Sequence, residues 1–96
     1  MYQLILKHRA ITMAKQAYEW YEDKNTGLGE VFLLELDSCY KKLEAQPTYY
    51  RKLKKNFRQL QLKRFPYVVV YEIMKTKVVV FAVFHTSRNP KEKFKD

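Results

Sequence analysis

Cysteine, glycine and proline are scarce in this chain, which contains one, two and three of them respectively. The single Cys39 excludes an intramolecular disulfide, and its place in an apolar helical stripe suits a reducing compartment, where cysteine behaves as a small buried hydrophobe. No stretch approaches the ~20 apolar residues of a membrane span, and the N-terminus lacks the regions of a signal peptide. We therefore expect a cytoplasmic protein that does not enter a membrane.

Acidic residues are also few: 10 Asp and Glu stand against 19 Lys and Arg, for a formal net charge of +9. Such an excess attracts polyanions, so nucleic acid or an acidic protein is the expected partner. The alternative is that the charge only keeps the protein in solution. The 96 residues are 47% hydrophobic and 16% aromatic, enough for one folded domain over 1–96, with a flexible tail over 89–96.

Hydrophobic spacing predicts a strand and then a helix at the start of the chain. Residues 2–6 are apolar and lead into a basic turn over 7–9. Spacings of three and four residues then predict a first helix over 10–25. The apolar positions of this helix are Ile11, Ala14, Tyr18 and Tyr21.

Gly27 and Gly29 mark the reversal into a second helix, because glycine tolerates the left-handed conformation that closes a helix. The second helix is predicted over 30–46 and stops before Pro47. Its apolar face consists of Phe32, Leu36, Cys39, Tyr40 and Leu43. We expect the two helices to form an antiparallel hairpin with one continuous apolar face.

The second half of the chain has the period of two that is typical of strands. After a basic link over 48–55, a half-exposed strand over 58–64 precedes a β-hairpin of two strands, 68–74 and 78–85. Both faces of this hairpin are apolar, so the C-terminal tail, a second copy or a partner chain should cover the face away from the helices. The predicted class is α+β: an N-terminal strand, an antiparallel helical hairpin and a three-stranded antiparallel meander.

Several segments, taken in their order, resemble the RelE/ParE superfamily of toxins. They are the aromatic run after Ala14, the Gly27 to Glu30 link, Pro47, Arg58, the Arg64 to Tyr71 segment with its Phe65-Pro66-Tyr67 strand entry, and the Ala82 to Pro90 ending. The resemblance covers nearly the whole chain and implies the toxin of a bacterial type II pair, neutralised by a cognate acidic antitoxin. RelE-like relatives cut mRNA on the ribosome, and ParE-like relatives poison DNA gyrase. A toxin–antitoxin hetero-oligomer and a homodimer are both compatible with the resemblance.

RNA cleavage needs a base, cations for the phosphate and an acid for the leaving oxygen. RelE-like relatives supply these groups from two lysines, two arginines and a tail tyrosine. The corresponding positions here are Gln59, Gln61, Val68, Arg88 and Phe94. Because only the last arginine, Arg88, is kept, the resemblance favours the ParE-like gyrase inhibitor, with the mRNA endonuclease as the alternative.

His85 and Arg88 are the candidate catalytic residues of that alternative. A histidine can exchange a proton near neutral pH, and an arginine can bind a phosphate through two hydrogen bonds. The alternative for His85 is that it caps its strand and bonds a backbone carbonyl. We expect no metal or other cofactor, since His, Cys, Asp and Glu do not cluster at ligand spacing.

Candidate substrate or phosphate contacts are Lys63, Arg64, Tyr67 and Arg88, at the entry to one strand and the exit of another. Arg64 could instead be solvated or paired with a helix carboxylate. Arg58 shares a side with apolar residues, so we expect it to pair with a helix carboxylate inside the domain.

The basic link carries aromatic residues next to cations, which is the composition of a stacking surface for single-stranded RNA. Its residues are Tyr49, Tyr50, Arg51, Lys52, Lys54 and Lys55. The alternative is a solvated loop that leans on the core. A third functional hypothesis is a relative that binds its antitoxin but harms nothing.

Overall fold

The computed structural model describes residues 1–87, and within them it contains five strands, two α-helices and a short 3-10 helix. In chain order these are β1 (Gln3–Leu6), α1 (His8–Lys24), α2 (Leu28–Ala45), the 3-10 helix Pro47–Tyr49, β2 (Arg51–Lys52), β3 (Phe57–Gln61), β4 (Tyr67–Met74) and β5 (Lys77–His85). They form one sheet in the order β1-β5-β4-β3-β2. Neither α-helix of this described part is long and apolar enough to cross a membrane.

The predicted α+β architecture is confirmed, including the helical hairpin and the antiparallel meander of β3, β4 and β5. The structure adds that β1 pairs in parallel with β5, which makes the sheet mixed. The predicted basic turn over 7–9 is wrong, because α1 begins at His8, directly after β1. The basic link also contains the two-residue strand β2, which pairs with β3. The predicted tail over 89–96 lies outside the described residues.

The junction between the two helices depends on both glycines and on one carboxylate. Gly27 has a φ of 92°, in the left-handed region that glycine tolerates best. The Glu22 carboxylate accepts hydrogen bonds from the amides of Gly27, at 3.0 and 3.1 Å, and Gly29, at 2.8 Å. A Cβ on Gly29 would lie 2.7 Å from the Tyr18 carbonyl oxygen, so the helices can meet this closely only because Gly29 has no side chain.

An aromatic cluster joins the helices to the sheet. Tyr21 of α1 and Phe32 of α2 both pack against Phe65 and Tyr67, with ring centroids 4.9 to 6.1 Å apart. The predicted stripe of α2 is confirmed, with four of its positions buried and Tyr40 half-buried. The stripe of α1 is partly wrong, because the buried positions are Ala10, Ala17 and Tyr21.

Ile11 is the α1 position that the spacing misassigned. It is 51% exposed, and it lines a groove between α1 and α2. Apolar residues spaced three and four apart define a stripe on one side of a helix, but the edges of that stripe are uncertain by about one residue. The spacing therefore does not decide which residues at the edge the sheet covers. The packing against β5 therefore selects the side of α1 that includes Ala10.

A second, smaller apolar cluster lies on the sheet face opposite the main core. It consists of Val68, Val70, Ala82 and Phe84, which are 0 to 4% exposed in the single chain. Met13, Leu53 and Phe57 pack against this cluster, and the Arg9 guanidinium lies 5.0 Å from the Phe84 ring centroid. Burying these four residues therefore requires neither a second copy nor a partner chain.

Two hydrogen-bonding side chains, the buried Tyr71 and the half-buried Arg58, hold the segment after α2 against the sheet. The Tyr71 hydroxyl donates to the Pro47 carbonyl at 2.6 Å. The Arg58 guanidinium donates to the carbonyls of Thr48, at 3.1 Å, and Tyr50, at 2.8 Å. Arg58 is thus bound inside the domain, as expected, but the predicted carboxylate partner is wrong. Backbone carbonyls at the end of a 3-10 helix lack partners of their own, and the guanidinium supplies them.

Candidate functional site

Four of the candidate residues come together at one end of the sheet, where β3 ends, β4 begins and β5 ends. Tyr67 is directly opposite His85 in the register of β4 and β5. The tight connection over 62–67, called here the 62–67 loop, is closed by the Leu62 amide donating to the Tyr67 carbonyl at 2.9 Å. The Thr86 amide also donates to the Pro66 carbonyl at 2.7 Å. Strand register therefore places the loop beside the end of β5.

The carboxylate of Glu35, on α2, clamps the 62–67 loop. It accepts hydrogen bonds from the backbone amide of Lys63 and from the Arg64 amide, at 3.1 Å, and the Arg64 Nε lies 3.0 Å from its other oxygen. Burial raises the pKa of Glu35. The hydrogen bonds from Arg64 and the Lys63 amide, together with the charge of Arg64, lower it by more, so the pKa of Glu35 lies below its ordinary value. The Glu35 carboxylate is therefore held in its charged form.

The ion pair with Glu35 determines how Arg64 can act. The Arg64 side chain is 66% exposed, whereas that of Glu35 is only 11% exposed. Of the two alternatives for Arg64, the structure thus shows the ion pair with a helix carboxylate. A phosphate that approached Arg64 would meet a cation already neutralised by a fixed anion, so the attraction would be reduced.

His85 is held at the sheet end by its neighbours. Its ring packs edge-on against the Tyr67 ring, with centroids 5.2 Å apart and an interplanar angle of 81°. The Ser87 amide and hydroxyl oxygen both lie 3.2 Å from Nδ1. An amide can only donate, so Nδ1 accepts this bond and the neutral ring carries its proton on Nε2. His85 is thus built into the end of β5 through its side chain.

Tyr67, Lys63 and Arg88 complete the list of candidates. Tyr67 is 4% exposed and its ring belongs to the aromatic cluster, so the ring surface is used for packing. Lys63 is exposed at the tip of the loop. Arg88 lies outside the described residues. The structure therefore unites Lys63, Arg64, Tyr67 and His85 at one sheet end, and among these four Lys63 is the exposed cation that forms no ion pair within residues 1–87.

Sequence reasoning missed a groove between α2 and β3, called here the α2–β3 groove, with a volume of about 630 Å³. It is lined by Leu34, Glu35, Ser38, Cys39, Lys42, Tyr49, Tyr50, Leu60, Gln61, Lys63 and Arg64. Tyr49 is 77% exposed, and Lys42 is exposed as well. The aromatic and basic composition of the link pointed to this region, but nothing in the spacing connected it with Lys42 or Lys63.

A second groove, with a volume of about 330 Å³, lies between the two helices near β1 and is almost entirely apolar. It is lined by Leu6, Ile11, Ala14, Lys15, Tyr18, Leu33, Leu36, Asp37 and Tyr40. Leu33, like Ile11, exposes a large apolar side chain, at 37%. Burial raises the pKa of Tyr40 to about 12, so its hydroxyl remains protonated at neutral pH. This surface can take up an apolar side chain of a partner.

The donor set of the described residues offers no metal centre. Within residues 1–87, no group of three or more His, Cys, Asp or Glu side chains could hold a metal ion. Cys39 is buried, and burial raises the pKa of its thiol, so the reactive thiolate is disfavoured.

A short strand, a helical hairpin and an antiparallel meander define a RelE/ParE-type toxin fold. The chain belongs to the family described as the ParE toxin of the type II toxin–antitoxin system parDE, whose model matches residues 4–90. A solved chain of the chromosomal ParDE TA system from P. aeruginosa is similar in structure, with a TM-score of 0.75 and 18% sequence identity. The match covers 88% of this chain and 96% of that chain, and at this identity it shows the fold alone. No curated protein sequence matches the chain.

Proposed function

We propose that this ParE-family toxin inhibits growth in the cytoplasm by binding DNA gyrase, and that a cognate acidic antitoxin neutralises it. We favour gyrase over mRNA because of three residues on the sheet face opposite the main core. Gln59 and Gln61 stand on β3 where the resemblance to RelE-like relatives calls for two lysines, and the neighbouring Val68 is buried. These positions therefore lack the cations that would stabilise a phosphate in the transition state of RNA cleavage.

The geometry of the sheet end also supports action by binding. Arg64 is neutralised by Glu35, and the Nδ1 of His85 accepts the Ser87 amide, so this nitrogen does not serve as a base. Removing such groups commonly lowers a rate by about 10² or more for each group. Inhibition by binding requires only a complementary surface, which the exposed cations supply.

An acidic antitoxin fits the charge and the helical groove. The net charge of +9 favours an anionic partner, and the apolar groove beside Ile11 and Leu33 can take apolar side chains of a segment that folds on binding. Such a partner would also set the oligomeric state, as a toxin–antitoxin hetero-oligomer. A homodimer remains the alternative assembly, although the buried second face of the sheet does not require it.

The runner-up function is ribosome-dependent cleavage of mRNA by His85 and Arg88. The observation in its favour is that His85 lies at the sheet end beside the exposed Lys63 loop, where an acid and a phosphate contact would be close. The acid in this reaction would be the protonated ring, in which both nitrogens donate, so the bond from the Ser87 amide to Nδ1 would have to break first. Lys63, Arg64 and Arg88 would then hold the phosphate, and Tyr67 would support the His85 ring.

Two assays on the purified full chain separate these functions. A supercoiling assay with gyrase should show inhibition that rises with the concentration of the chain, while a coupled translation reaction should leave its transcript uncut. Cleaved transcripts together with unaffected supercoiling would overturn the gyrase proposal. In that event His85→Gln should abolish cleavage, which assigns the histidine.

Growth and antitoxin tests decide whether the chain is a toxin. Inducing the gene alone in a bacterial host should stop growth, and growth should return when a small acidic protein encoded beside it is co-expressed. Normal growth with the chain present at full length would instead support a relative that binds its antitoxin but harms nothing. Analytical ultracentrifugation of the co-expressed pair then measures the assembly.

A further inference from the structure

We propose that the α2–β3 groove is a binding site for single-stranded nucleic acid, in which Tyr49 stacks on a base and Lys42 and Lys63 contact the flanking phosphates. This site is separate from the candidate catalytic residue His85 and does not depend on which target the toxin inhibits. It uses residues of α2, of the 3-10 helix and of the 62–67 loop, which only the tertiary structure brings together.

The aromatic part of the site is Tyr49. Its ring is 77% exposed at the rim of the groove, and it meets the Tyr50 ring edge-on, with centroids 5.1 Å apart and an interplanar angle of 87°. Tyr50 is half-buried and packs on the core, so it supports the Tyr49 ring from one side. A supported aromatic ring that remains open to water is suited to stacking, which every base can provide.

The charge of the groove favours an anion. Lys42 and Lys63 are exposed, and neither ammonium group is in an ion pair within residues 1–87. The acidic residue that lines the groove, Glu35, already accepts hydrogen bonds from the Lys63 and Arg64 amides and pairs with the Arg64 side chain. The fixed anion is thus neutralised, and the two lysines are left to attract phosphate.

A polar group at the groove can meet the edge of a base. Ser38 is exposed and lines the groove, and its hydroxyl can both donate and accept a hydrogen bond. The edge of a base is open to such a side chain in a single strand, whereas in a duplex it is used for base pairing. The combination of stacking, phosphate contacts and base-edge groups therefore favours a single strand over a duplex.

Further cations follow the groove tyrosines in sequence. Arg51, Lys52, Lys54 and Lys55 are all exposed and come directly after Tyr50. An acidic peptide could use the same cations, but its carboxylates would gain nothing from stacking, so Tyr49 is the residue that separates the two kinds of ligand.

The first experiment tests the lysines. Binding of a fluorescein-labelled oligothymidylate of about 12 nucleotides, a length that one small domain can contact, is followed by anisotropy over a series of salt concentrations. The variant K42A/K63A is compared with K15A/K77A, which removes the same charge at exposed positions outside the groove. K42A/K63A should weaken binding about tenfold more than the control, and should reduce the slope of log K against log salt by roughly 1.4. If both double variants bound the oligonucleotide equally weakly, the proposal that it binds in the α2–β3 groove would be wrong.

The second experiment tests the tyrosine. Tyr49→Ala should weaken binding about tenfold without changing the salt slope, whereas Tyr49→Trp should retain it, because only stacking is altered. Trp20→Ala removes another exposed aromatic ring, far from the groove in sequence, and should leave binding unchanged. Unlabelled oligouridylate should compete well, and a duplex of the same length or polyglutamate should compete poorly. If Tyr49→Ala binds normally, or polyglutamate competes as well as the oligonucleotide, the groove is an anion or peptide surface and the proposal is wrong.

Discussion

Glu35 and Arg64 are 29 residues apart in sequence, and the Glu35 carboxylate binds both the amide and the guanidinium of Arg64. This relationship attaches the 62–67 loop to α2, and it positions one wall of the α2–β3 groove. It also explains why Arg64, although exposed, should attract a further anion only weakly, since its charge is already paired with that of Glu35.

Replacing Glu35 by Gln should destabilise the chain by about 1 to 2 kcal/mol, because a charged acceptor of several hydrogen bonds becomes a neutral one. The free energy of unfolding in urea measures the effect. Asp37→Asn is the matched control, since it removes a carboxylate of the same helix from an exposed ion pair with Lys41 and should cost less than ~0.5 kcal/mol. If both variants lost the same free energy of unfolding, the Glu35 carboxylate would not be stabilising the 62–67 loop.

The pH dependence of this difference follows from the pKa of Glu35. The folded pKa lies below the ordinary value of 4.5, so the stabilisation is complete above that value and is lost as the pH falls through the folded pKa. The stability of the native chain should therefore approach that of Glu35→Gln in acid and exceed it at neutral pH. A difference that stayed constant across acid and neutral pH would show that the charge of Glu35 contributes nothing.

Gly29→Ala should destabilise the helical hairpin, because the new Cβ would lie 2.7 Å from the Tyr18 carbonyl oxygen. Overpacking of this kind costs about 1 to 3 kcal/mol. Thermal unfolding followed by circular dichroism measures it. A Cβ added to Gly27 would meet nothing within 4 Å, and asparagine tolerates a positive φ better than most residues, so Gly27→Asn should be milder than Gly29→Asn. The reverse order would mean that the close approach of the helices is not the constraint at Gly29.

Tyr71→Phe should destabilise the chain by about 1 to 3 kcal/mol, because it leaves the buried Pro47 carbonyl without its donor. Burial raises the pKa of the Tyr71 hydroxyl, so this group remains a donor at neutral pH. Tyr49→Phe removes a hydroxyl from an exposed ring and should change the free energy of unfolding little. If Tyr71→Phe left the free energy of unfolding unchanged, water would have replaced the lost donor.

Gln59→Met should stabilise the chain by about 1 kcal/mol, since the buried Oε1 atom has no hydrogen-bond partner in the described structure. Methionine has a similar length and no strong polar atom. Gln61→Met, two residues further along the same strand at an exposed position, should give no such gain. Chemical denaturation of both variants checks the difference, and a loss of stability in Gln59→Met would show that its amide is satisfied in solution.

Prediction from sequence succeeded where local spacing carries the information. The apolar face of α2 was found because every residue on it repeats at helical spacing, and the strands of the meander follow from their period of two. The same reasoning misassigned Ile11, because spacing defines a stripe but not the exact side that neighbours cover.

The candidate site was only partly accessible from sequence. Lys63, Arg64, Tyr67 and His85 were correctly placed near strand ends, and the register brings them to one end of the sheet. Their partners were not predictable, since Glu35 contacts the loop across nearly a third of the chain and Ser87 binds His85 through a local turn. Long-range contacts of this kind leave no periodic signal.

The order and type of the elements, the cationic excess and the resemblance to one toxin superfamily were determined by the sequence alone, because each depends on residue type and local spacing. Only the tertiary structure decided the parallel pairing of β1 with β5, the burial of the second sheet face and the neutralisation of Arg64 by Glu35. The reason is that pairing and burial depend on which distant segments meet, and many sequences with these same local patterns could bring different segments together.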